Sequence, residues 1–280
     1  MNIVRFLKSD QVHLGTVIAD KYVIDLGPSG LSNIYTFLKY YPESMEIARE
    51  AGRDLELAGF YSFGEIELLP PIPRPTKMIC LGLNYKDHAL EFGGKLPEEP
   101  IIFAKSPTAV IGPDDEIILP TDQTDYEAEL AIVMARRCSH VSKEDAKEYV
   151  LGFTILNDVT ARDIQAIDNQ FFRSKSFDTF APIGPCITTV DEIGDPDNLD
   201  IECRLNGVLR QKSNTSNLIF SVYDIVSFIS ESVTLEPGDI IGTGTPGGVG
   251  FKQDPPIFLR SGDELELTIE NIGTLKNVVK

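Results

Sequence analysis

The chain has 280 residues, of which 43 are acidic and 25 basic, so its formal net charge is −18. This charge disfavours nucleic acid or an anionic membrane as a partner. The sequence also contains no apolar run of about 18 residues, the length that a helix needs to span a bilayer. The amino terminus turns polar too early for a secretory signal, and the four cysteines lie far apart without C-x-x-C spacing, so we expect a cytoplasmic protein with reduced thiols.

Residues 1–70 are predicted to form a small β-rich domain. Alternating or apolar runs predict three strands, at 2–7, 12–18 and 22–26. A helix capped by Ser32 is expected to run to about Tyr40, and a second helix, over 43–51, to end at Gly52 in a left-handed conformation. The proline-rich segment 71–75 predicts a semi-rigid linker, which we take as the domain boundary.

Residues 76–280 are predicted to form a larger domain in which strands outnumber helices. The predicted strands cover 77–82, 101–105, 126–134, 149–157, 239–243 and 264–270, and Asn206-Gly207 predicts a hairpin within 199–212. Helices are expected at 85–92, from Ser142, over 160–169 and from Ser221 to about 232, while the stretch from 170 through Pro185 is expected to be irregular. Short connections without strict βαβ alternation favour an α+β, mainly β architecture with peripheral helices.

Two carboxylates at the start of a predicted core strand form the first candidate site. Side chains two apart on a strand point to the same face, roughly 6–7 Å apart along the chain, so Glu127 and Glu129 share one side. Such a pair can face solvent, hold a proton or bind a cation, and for a lone E-x-E the solvated face is favoured. Asp158, at the end of the strand predicted over 149–157, changes this balance because three carboxylates would make an all-oxygen cation site.

His88 and Glu91 form the second candidate, since residues three apart on a helix are neighbours. A carboxylate beside an imidazole stabilises the imidazolium, so the pair could act as a general base that activates water. Spacing alone favours an ordinary surface pair. Gly93 and Gly94 follow directly and make a mobile lid plausible.

Three more polar residues could contact a substrate. Arg162 and Gln165 follow Asp158 on one face of the helix predicted to start in Thr160-Ala-Arg-Asp163. Arg162 could pair with Asp158 or a substrate carboxylate, and Gln165 could donate to a carbonyl oxygen. Lys175 lies in an apolar and hydroxyl-rich context and could neutralise a developing oxyanion. The alternatives are a solvated helix face and a surface ion pair.

A glycine-rich loop follows the strand predicted at 239–243. Residues 242–247 match G-x-G-x-x-G, but Pro246, Gly248 and Gly250 prevent a helix from starting there and no βαβ unit surrounds the loop, so a dinucleotide site is excluded. A tight loop that presents backbone amides and the Thr243 hydroxyl to a ligand remains open.

Five segments, taken together and in this order, make residues 76–280 resemble the fumarylacetoacetate hydrolase family. They are Asn84-Tyr-Lys-Asp-His88-Ala-Leu-Glu91, Tyr126-Glu127-Ala-Glu129, Asn157-Asp158-Val-Thr-Ala-Arg162-Asp-Ile-Gln165, Lys175-Ser-Phe-Asp-Thr-Phe and Gly242-Thr243-Gly244-Thr-Pro-Gly-Gly-Val-Gly250. The resemblance implies a mixed β-sandwich or β-roll catalytic domain that commonly dimerises. Residues 1–70 resemble, loosely, the small extra domain of some bacterial and archaeal members.

The same resemblance implies roles for individual residues. One Mg²⁺ or Mn²⁺ would be held by Glu127, Glu129 and Asp158. A His88–Glu91 dyad would lie on a closing lid, and Lys175 and Gln165 would lie near the oxyanion. Arg162 and Thr243 would contact the substrate, a small oxo-acid or dicarboxylate, or order the site, and Tyr85 would contact the substrate.

The first functional hypothesis is a metal-dependent hydrolase that cleaves a carbon–carbon bond in a β-diketo acid of the acylpyruvate or fumarylpyruvate type. His88 would activate water, and each positioned donor to the oxyanion could lower the barrier by about 2.7–4 kcal/mol. The alternative uses the same enolate without water, as an oxaloacetate decarboxylase or a 2-hydroxyhepta-2,4-diene-1,7-dioate-type isomerase. A third interpretation is a binding protein with a degenerate site, against which the intact carboxylates and dyad count.

Overall fold

The computed structural model describes residues 1–53, 59–91 and 93–280. The strands in these residues are, in chain order, β1 (Asn2–Lys8), β2 (Gln11–Ile18), β3 (Tyr22–Asp25), β4 (Phe60–Ser62), β5 (Glu67–Leu69), β6 (Met78–Gly82), β7 (Ile101–Lys105), β8 (Val110–Ile111), β9 (Glu116–Ile117), β10 (Thr124–Asp125), β11 (Ala128–Met134), β12 (Val150–Asn157), β13 (Thr160–Ala161), β14 (Ala181–Thr189), β15 (Asp200–Leu205), β16 (Val208–Asn214), β17 (Ile240–Gly242), β18 (Glu264–Ile269) and β19 (Gly273–Val279). The helices are α1 (Ile34–Lys39), α2 (Glu43–Ala51), α3 (Lys86–Glu91), α4 (Lys143–Ala146), α5 (Arg162–Ile167), α6 (Phe172–Lys175) and α7 (Val222–Ser230).

The strands form two large sheets and one small one. The largest has the order β4-β3-β2-β1-β14-β12-β11-β17-β6-β7, with β5 beside β1 and β8 beside β14. A second sheet has the order β16-β15-β18-β19-β9, and β10 pairs with β13. The second sheet packs on the first where β15 contacts β11, β18 contacts β12 and β19 contacts β14. The expected α+β, mainly β architecture is confirmed.

The two strands that carry the predicted carboxylates lie in the middle of the large sheet. Every residue of β11 and β12 is buried, since both strands have neighbours on each side and are covered on their faces. This explains why both read in sequence as continuous apolar runs rather than as alternating ones.

The amino-terminal strands form a meander, as predicted, and continue the same sheet. β1 pairs antiparallel with β14 through Asn2↔Thr188 and Ile3↔Ile187, and the side chain of Arg5 donates to the Pro70 carbonyl at 2.6 Å. The proposed boundary at 71–75 stays a prediction, and residues 54–58 of the predicted small domain lie outside the described residues.

Several local expectations are wrong in detail. Asn33, not Ser32, caps α1, by accepting from the Thr36 N–H. Gly52 ends α2 with φ −66°, a right-handed conformation. α5 begins at Arg162 without a side-chain cap, since Thr160 is instead paired in β13 with Asp125.

The largest difference between the predicted and the observed secondary structure is β14, a strand that occupies part of the stretch expected to be irregular. Its prolines lack N–H donors, which normally argues against an inner strand. The ladder between β14 and β12 is irregular between Phe153 and Ile155, and this irregularity accommodates the proline-containing part. β19, a strand beyond the one predicted to close the domain, pairs with β18. Phe92, the last residue of the helix predicted at 85–92, lies outside the described residues.

Candidate active site

Antiparallel pairing of β11 with β12 brings the three predicted carboxylates together. Ala128 pairs with Asn157, so Glu127, just before β11, lies beside Asp158, just after β12. The Asp158 N–H donates to the Glu127 carbonyl at 2.9 Å, and the Asn157 side-chain oxygen accepts from the Glu127 N–H at 3.0 Å. Glu129 lies on β11 itself and is completely buried.

Two buried lysines neutralise part of this negative charge. Lys175 Nζ donates to Glu127 at 2.8 Å, to Asp158 at 2.6 Å and to the Thr160 hydroxyl at 2.8 Å. Lys105 Nζ, from β7, donates to the other Asp158 oxygen at 2.5 Å. Lys175 therefore lies directly against two of the predicted metal ligands. As a result its ammonium can orient an anion and also competes with a cation for these carboxylates.

Arg162 pairs with carboxylates other than the one expected. Its guanidinium lies 2.8 Å from Asp125 and 2.7 Å from Glu127, and it donates to the Gln165 side-chain oxygen at 3.0 Å. Asp125 in turn accepts from the Tyr126, Gly250 and Phe251 N–H groups. Asp125 thus anchors Arg162 to the glycine-rich loop, and Arg162 positions Glu127.

Glu129 is the carboxyl in this cluster whose ionisation is least compensated. Burial and the neighbouring Asp158 and Glu127 carboxylates raise the pKa of Glu129 well above its usual value. Burial alone would also raise the pKa of Glu127, but Lys175 and Arg162 outweigh it and hold that pKa at about 2. Glu129 Oε2 accepts from the Gly244 N–H at 3.2 Å, whereas its buried Oε1 has no hydrogen-bond partner among the described residues.

This donor set fits a hard divalent cation. It offers carboxylate oxygens, one of them buried and unpartnered, in a cluster where four carboxylates face three cationic side chains. Mg²⁺ and Mn²⁺ prefer such oxygen ligands. The Cys80 thiol also lies close by. Its Sγ, one carboxylate oxygen of Glu129 and one of Asp158 all lie within 4.8 Å of one another.

The His88–Glu91 pair forms as predicted. His88 Nδ1 lies 3.2 Å from Glu91 Oε2. Although partial burial opposes ionisation of Glu91, hydrogen bonds from His88 and from the Gly248 N–H lower its pKa. The Gly248 bond, at 2.9 Å, and a 2.6 Å bond from Ser213 to Asp87 hold α3 against the glycine-rich loop and β16.

A pocket of about 230 Å³ is lined by five of the ten predicted site residues. Its lining includes His88, Glu127, Arg162, Gln165 and Lys175, with apolar walls from Leu81, Leu83, Phe103 and Phe171. Tyr85 and Thr243, the other predicted substrate contacts, are completely buried. The Thr243 hydroxyl donates to the Leu130 carbonyl at 2.9 Å, and Thr245 lines the pocket instead.

Three residues of the cluster were not identified from the sequence. Asp125 adjoins the E-x-E segment but has no motif of its own, and Lys105 ends an ordinary short strand. Cys80 reads as one of four buried thiols, and all four are free and buried. A buried lysine at the end of a strand needs an ionic partner, and this was the available signal for Lys105.

Among residues 1–53, 59–91 and 93–280, no helix has the length and apolarity needed to cross a membrane.

Two curated relatives share most of this chain. Oxaloacetate tautomerase YisK of Bacillus subtilis is 48% identical over 231 residues, which are 80% of this chain and 77% of that protein. The mitochondrial oxaloacetate tautomerase Fahd2a of Rattus norvegicus is 42% identical over 264 residues, covering 92% and 83% of the two chains.

Solved structures match over the whole chain. Fumarylacetoacetate hydrolase from the psychrophile Exiguobacterium antarcticum superposes with a TM-score of 0.88 at 38% identity, covering 100% of this chain and 99% of that one. A maleylpyruvate hydrolase from a Sphingobium species, solved with manganese(II) and pyruvate, gives 0.81 at 31% identity, covering 100% and 98%. The family model for the C-terminal domain of fumarylacetoacetate (FAA) hydrolase matches residues 77–280. The chain therefore belongs to the fumarylacetoacetate hydrolase family.

Proposed function

We propose that this protein is a divalent-metal-dependent enzyme that interconverts the enol and keto forms of oxaloacetate or a closely similar 2-oxo dicarboxylate. The observation that carries the proposal is the pocket of about 230 Å³ in which His88, Arg162 and Lys175 converge beside the buried carboxylates. Pockets for drug-sized ligands usually measure about 300–1,000 Å³, so this one suits a small metabolite. The tautomerase names of the two relatives support the reaction type, and they favour the isomerase alternative over carbon–carbon bond hydrolysis.

The charged groups around the pocket suit a small dianion. Although burial favours the neutral amine, the Asp158 and Glu127 carboxylates raise the pKa of Lys175, so its ammonium stays charged. The guanidinium of Arg162 is held in place by Asp125 and Glu127. Because buried carboxylates offset these fixed cations, a divalent ion held by the same carboxylates would supply the remaining local positive charge that a protein with a net charge of −18 needs to hold an anionic substrate.

His88 is the proposed proton-transfer group. Conversion of the enol to the ketone removes a proton from the enol oxygen and adds one to the neighbouring carbon. An imidazole gains and loses a proton near neutral pH, whereas Lys175 stays protonated. The Glu91 carboxylate, 3.2 Å from His88 Nδ1, orients the ring and stabilises its charged form.

A divalent ion would be held by Glu127, Glu129 and Asp158. When bound, it would act as a Lewis acid toward the oxygens of a 2-oxo acid. Lys175 bonds both Glu127 and Asp158, so its ammonium would compete with the ion for these two carboxylates. Lys105 orients Asp158 through the carboxylate oxygen that Lys175 does not bond.

The test follows three reactions with the same enzyme, with Mg²⁺ or Mn²⁺ and with EDTA. Decay of enol-oxaloacetate is followed by ultraviolet absorbance, decarboxylation by pyruvate release, and hydrolysis by loss of acetylpyruvate absorbance. We expect metal-dependent enol decay above the buffer rate, reduced about 10²–10⁴-fold in His88→Gln. His140→Gln is the matched control, since His140 also lies 3.2 Å from a glutamate but is 70% exposed. Enol decay equal to that in buffer, with both metals, refutes the proposal.

Hydrolysis of an acylpyruvate is the second candidate function. The feature that favours it is that His88, which lines the pocket, is paired with Glu91 and could activate a water, which hydrolysis requires and tautomerisation does not. Metal-dependent acetylpyruvate cleavage without enol decay would make the protein a hydrolase. Pyruvate release from oxaloacetate, unaffected by His88→Gln, would instead identify decarboxylation.

We also propose a homodimer in the cytoplasm. Ile101 and Ile102 on β7, at the edge of the large sheet, are 43% and 37% exposed, and apolar side chains at a sheet edge suit burial against a second copy. Light scattering of the purified chain should give twice the monomer mass, and a monomer mass at all concentrations would refute it.

A further inference from the structure

We propose that the Cys80 thiol is a sulfur ligand at the cation site, so that the site also accepts softer divalent ions such as Co²⁺, Zn²⁺ and Cd²⁺. The inference rests on the metal-binding part of the proposed function and extends it to the choice of metal. It does not depend on which oxo acid is the substrate.

The sheet places Cys80 on the same face as the carboxylates. Ala131 of β11 pairs with Gly242 of β17, and Gly242 pairs with Cys80 of β6. Paired residues on neighbouring strands project to the same face, and so do residues two apart on one strand. Glu129, two residues before Ala131, therefore projects on the same side as Cys80, across the glycine between them.

Gly242 leaves the space in which these groups meet. A Cβ at this position would collide with Glu129 Oε2 and would lie 3.1 Å from Cys80 Sγ. The absence of a side chain on β17 therefore lets a donor from β11 and a donor from β6 face each other directly.

The distances suit a single ion. Cys80 Sγ and single oxygens of Glu129 and Asp158 lie within 4.8 Å of one another. Metal–sulfur bonds of about 2.3 Å and metal–oxygen bonds of about 2.0–2.2 Å let two ligands of one ion lie up to about 4.5 Å apart. A small approach of the side chains is enough to close the site.

A separate observation points to a missing ligand in this cluster. Glu129 is completely buried, and its Oε1 has no hydrogen-bond partner within the described part of the chain. A buried, unpartnered carboxylate oxygen costs free energy unless something binds it. The lysines bond Asp158 and Glu127, which leaves Glu129 as the group that a cation would satisfy.

Two overlapping sets of donors result. An oxygen set, Glu127 with Glu129 and Asp158, suits Mg²⁺ or Mn²⁺, and a set that replaces Glu127 with Cys80 suits softer ions, because thiolates select for them. On coordination the thiol gives its proton to the buffer and the sulfur bonds the ion. A soft ion is thus expected to lie nearer β6, displaced from Glu127.

The test is the absorption spectrum of the Co²⁺-loaded protein after EDTA treatment, with no substrate present. We expect a thiolate-to-cobalt charge-transfer band in the near ultraviolet, lost in Cys80→Ser and retained in Cys138→Ser, a buried cysteine outside the cluster. Competition against Mn²⁺, followed by electron paramagnetic resonance, should show Cd²⁺ affinity reduced by about tenfold or more in Cys80→Ser, with Mn²⁺ affinity nearly unchanged.

A Co²⁺-loaded wild-type protein without the charge-transfer band would overturn the proposal, and this result needs no variant to fold. A band that persists in Cys80→Ser, or in Cys80→Ala, would overturn it as well. Absence of turnover with oxaloacetate would refute the proposed function while leaving these spectra unaffected, so the two failures are distinguishable.

Discussion

Replacing Lys175 with methionine removes the ammonium that joins two buried carboxylates. In the wild type, Nζ lies 2.8 Å from Glu127 and 2.6 Å from Asp158, and all three side chains are at least 93% buried. Removal of one partner from a buried ion pair destabilises a protein by about 3–5 kcal/mol, because the other charge stays uncompensated. Asp158 keeps Lys105 and Glu127 keeps Arg162, so we expect a loss near the lower limit, about 3 kcal/mol, in the metal-free protein.

A divalent cation should restore much of this loss. An ion at about 100 times its dissociation constant stabilises the folded state by about 2.7 kcal/mol. In Lys175→Met no ammonium competes for Glu127 and Asp158, so the ion is expected to bind the variant more tightly than the wild type. Metal should therefore stabilise the variant more than it stabilises the wild type.

Urea unfolding at neutral pH, with EDTA and then with Mn²⁺, measures both effects. The control is Lys143→Met, because Lys143 lies 2.8 Å from Asp224 but is 51% exposed; its loss should stay under about 1 kcal/mol. If Lys175→Met in EDTA loses no more stability than this control, or if Mn²⁺ stabilises the wild type more, the reasoning about the buried charges is wrong.

Three further predictions concern neighbouring residues. Because burial and the adjacent carboxylates raise the pKa of Glu129, the folded metal-free protein keeps a proton that the unfolded chain loses above about pH 4.3. The free energy of unfolding should therefore fall as pH rises from there. Urea unfolding in EDTA should show a smaller decline for Glu129→Gln, and the same pH dependence in the wild type and the variant would contradict the prediction. Gly242→Ala should weaken Mn²⁺ binding, measured by paramagnetic resonance, and destabilise the fold by about 1–3 kcal/mol through overpacking, measured by thermal melting. Gly64 has open space around it, so Gly64→Ala should change neither Mn²⁺ affinity nor stability. Equal effects of the two substitutions would argue against a tight contact at Gly242. Asp125→Asn removes the charge that anchors Arg162 and should cost about 1.5–3 kcal/mol in urea unfolding, and a change below about 0.5 kcal/mol would mean that Asp125 is only a packing residue.

Much of the fold could be predicted from local signals. The buried strands at 126–134 and 149–157, the amino-terminal meander and the Asn206-Gly207 hairpin formed as expected, because apolar periodicity and turn chemistry act over a few residues. β14 could not be predicted in this way. Its prolines argue against an inner strand, and the irregular ladder that tolerates them depends on β12, which lies some thirty residues earlier.

Sequence motifs are enough to identify which kinds of group the site contains: three carboxylates on or next to core strands, an imidazole–carboxylate pair and a lysine, in an order typical of one enzyme family. How these groups pair depends on the three-dimensional fold. Lys105, Asp125 and Cys80 enter the cluster because the register of the sheet and the packing of α5 and α6 bring remote segments into contact. A buried charge is compensated by whichever opposite charge lies near it in space, and separation along the chain does not specify that distance.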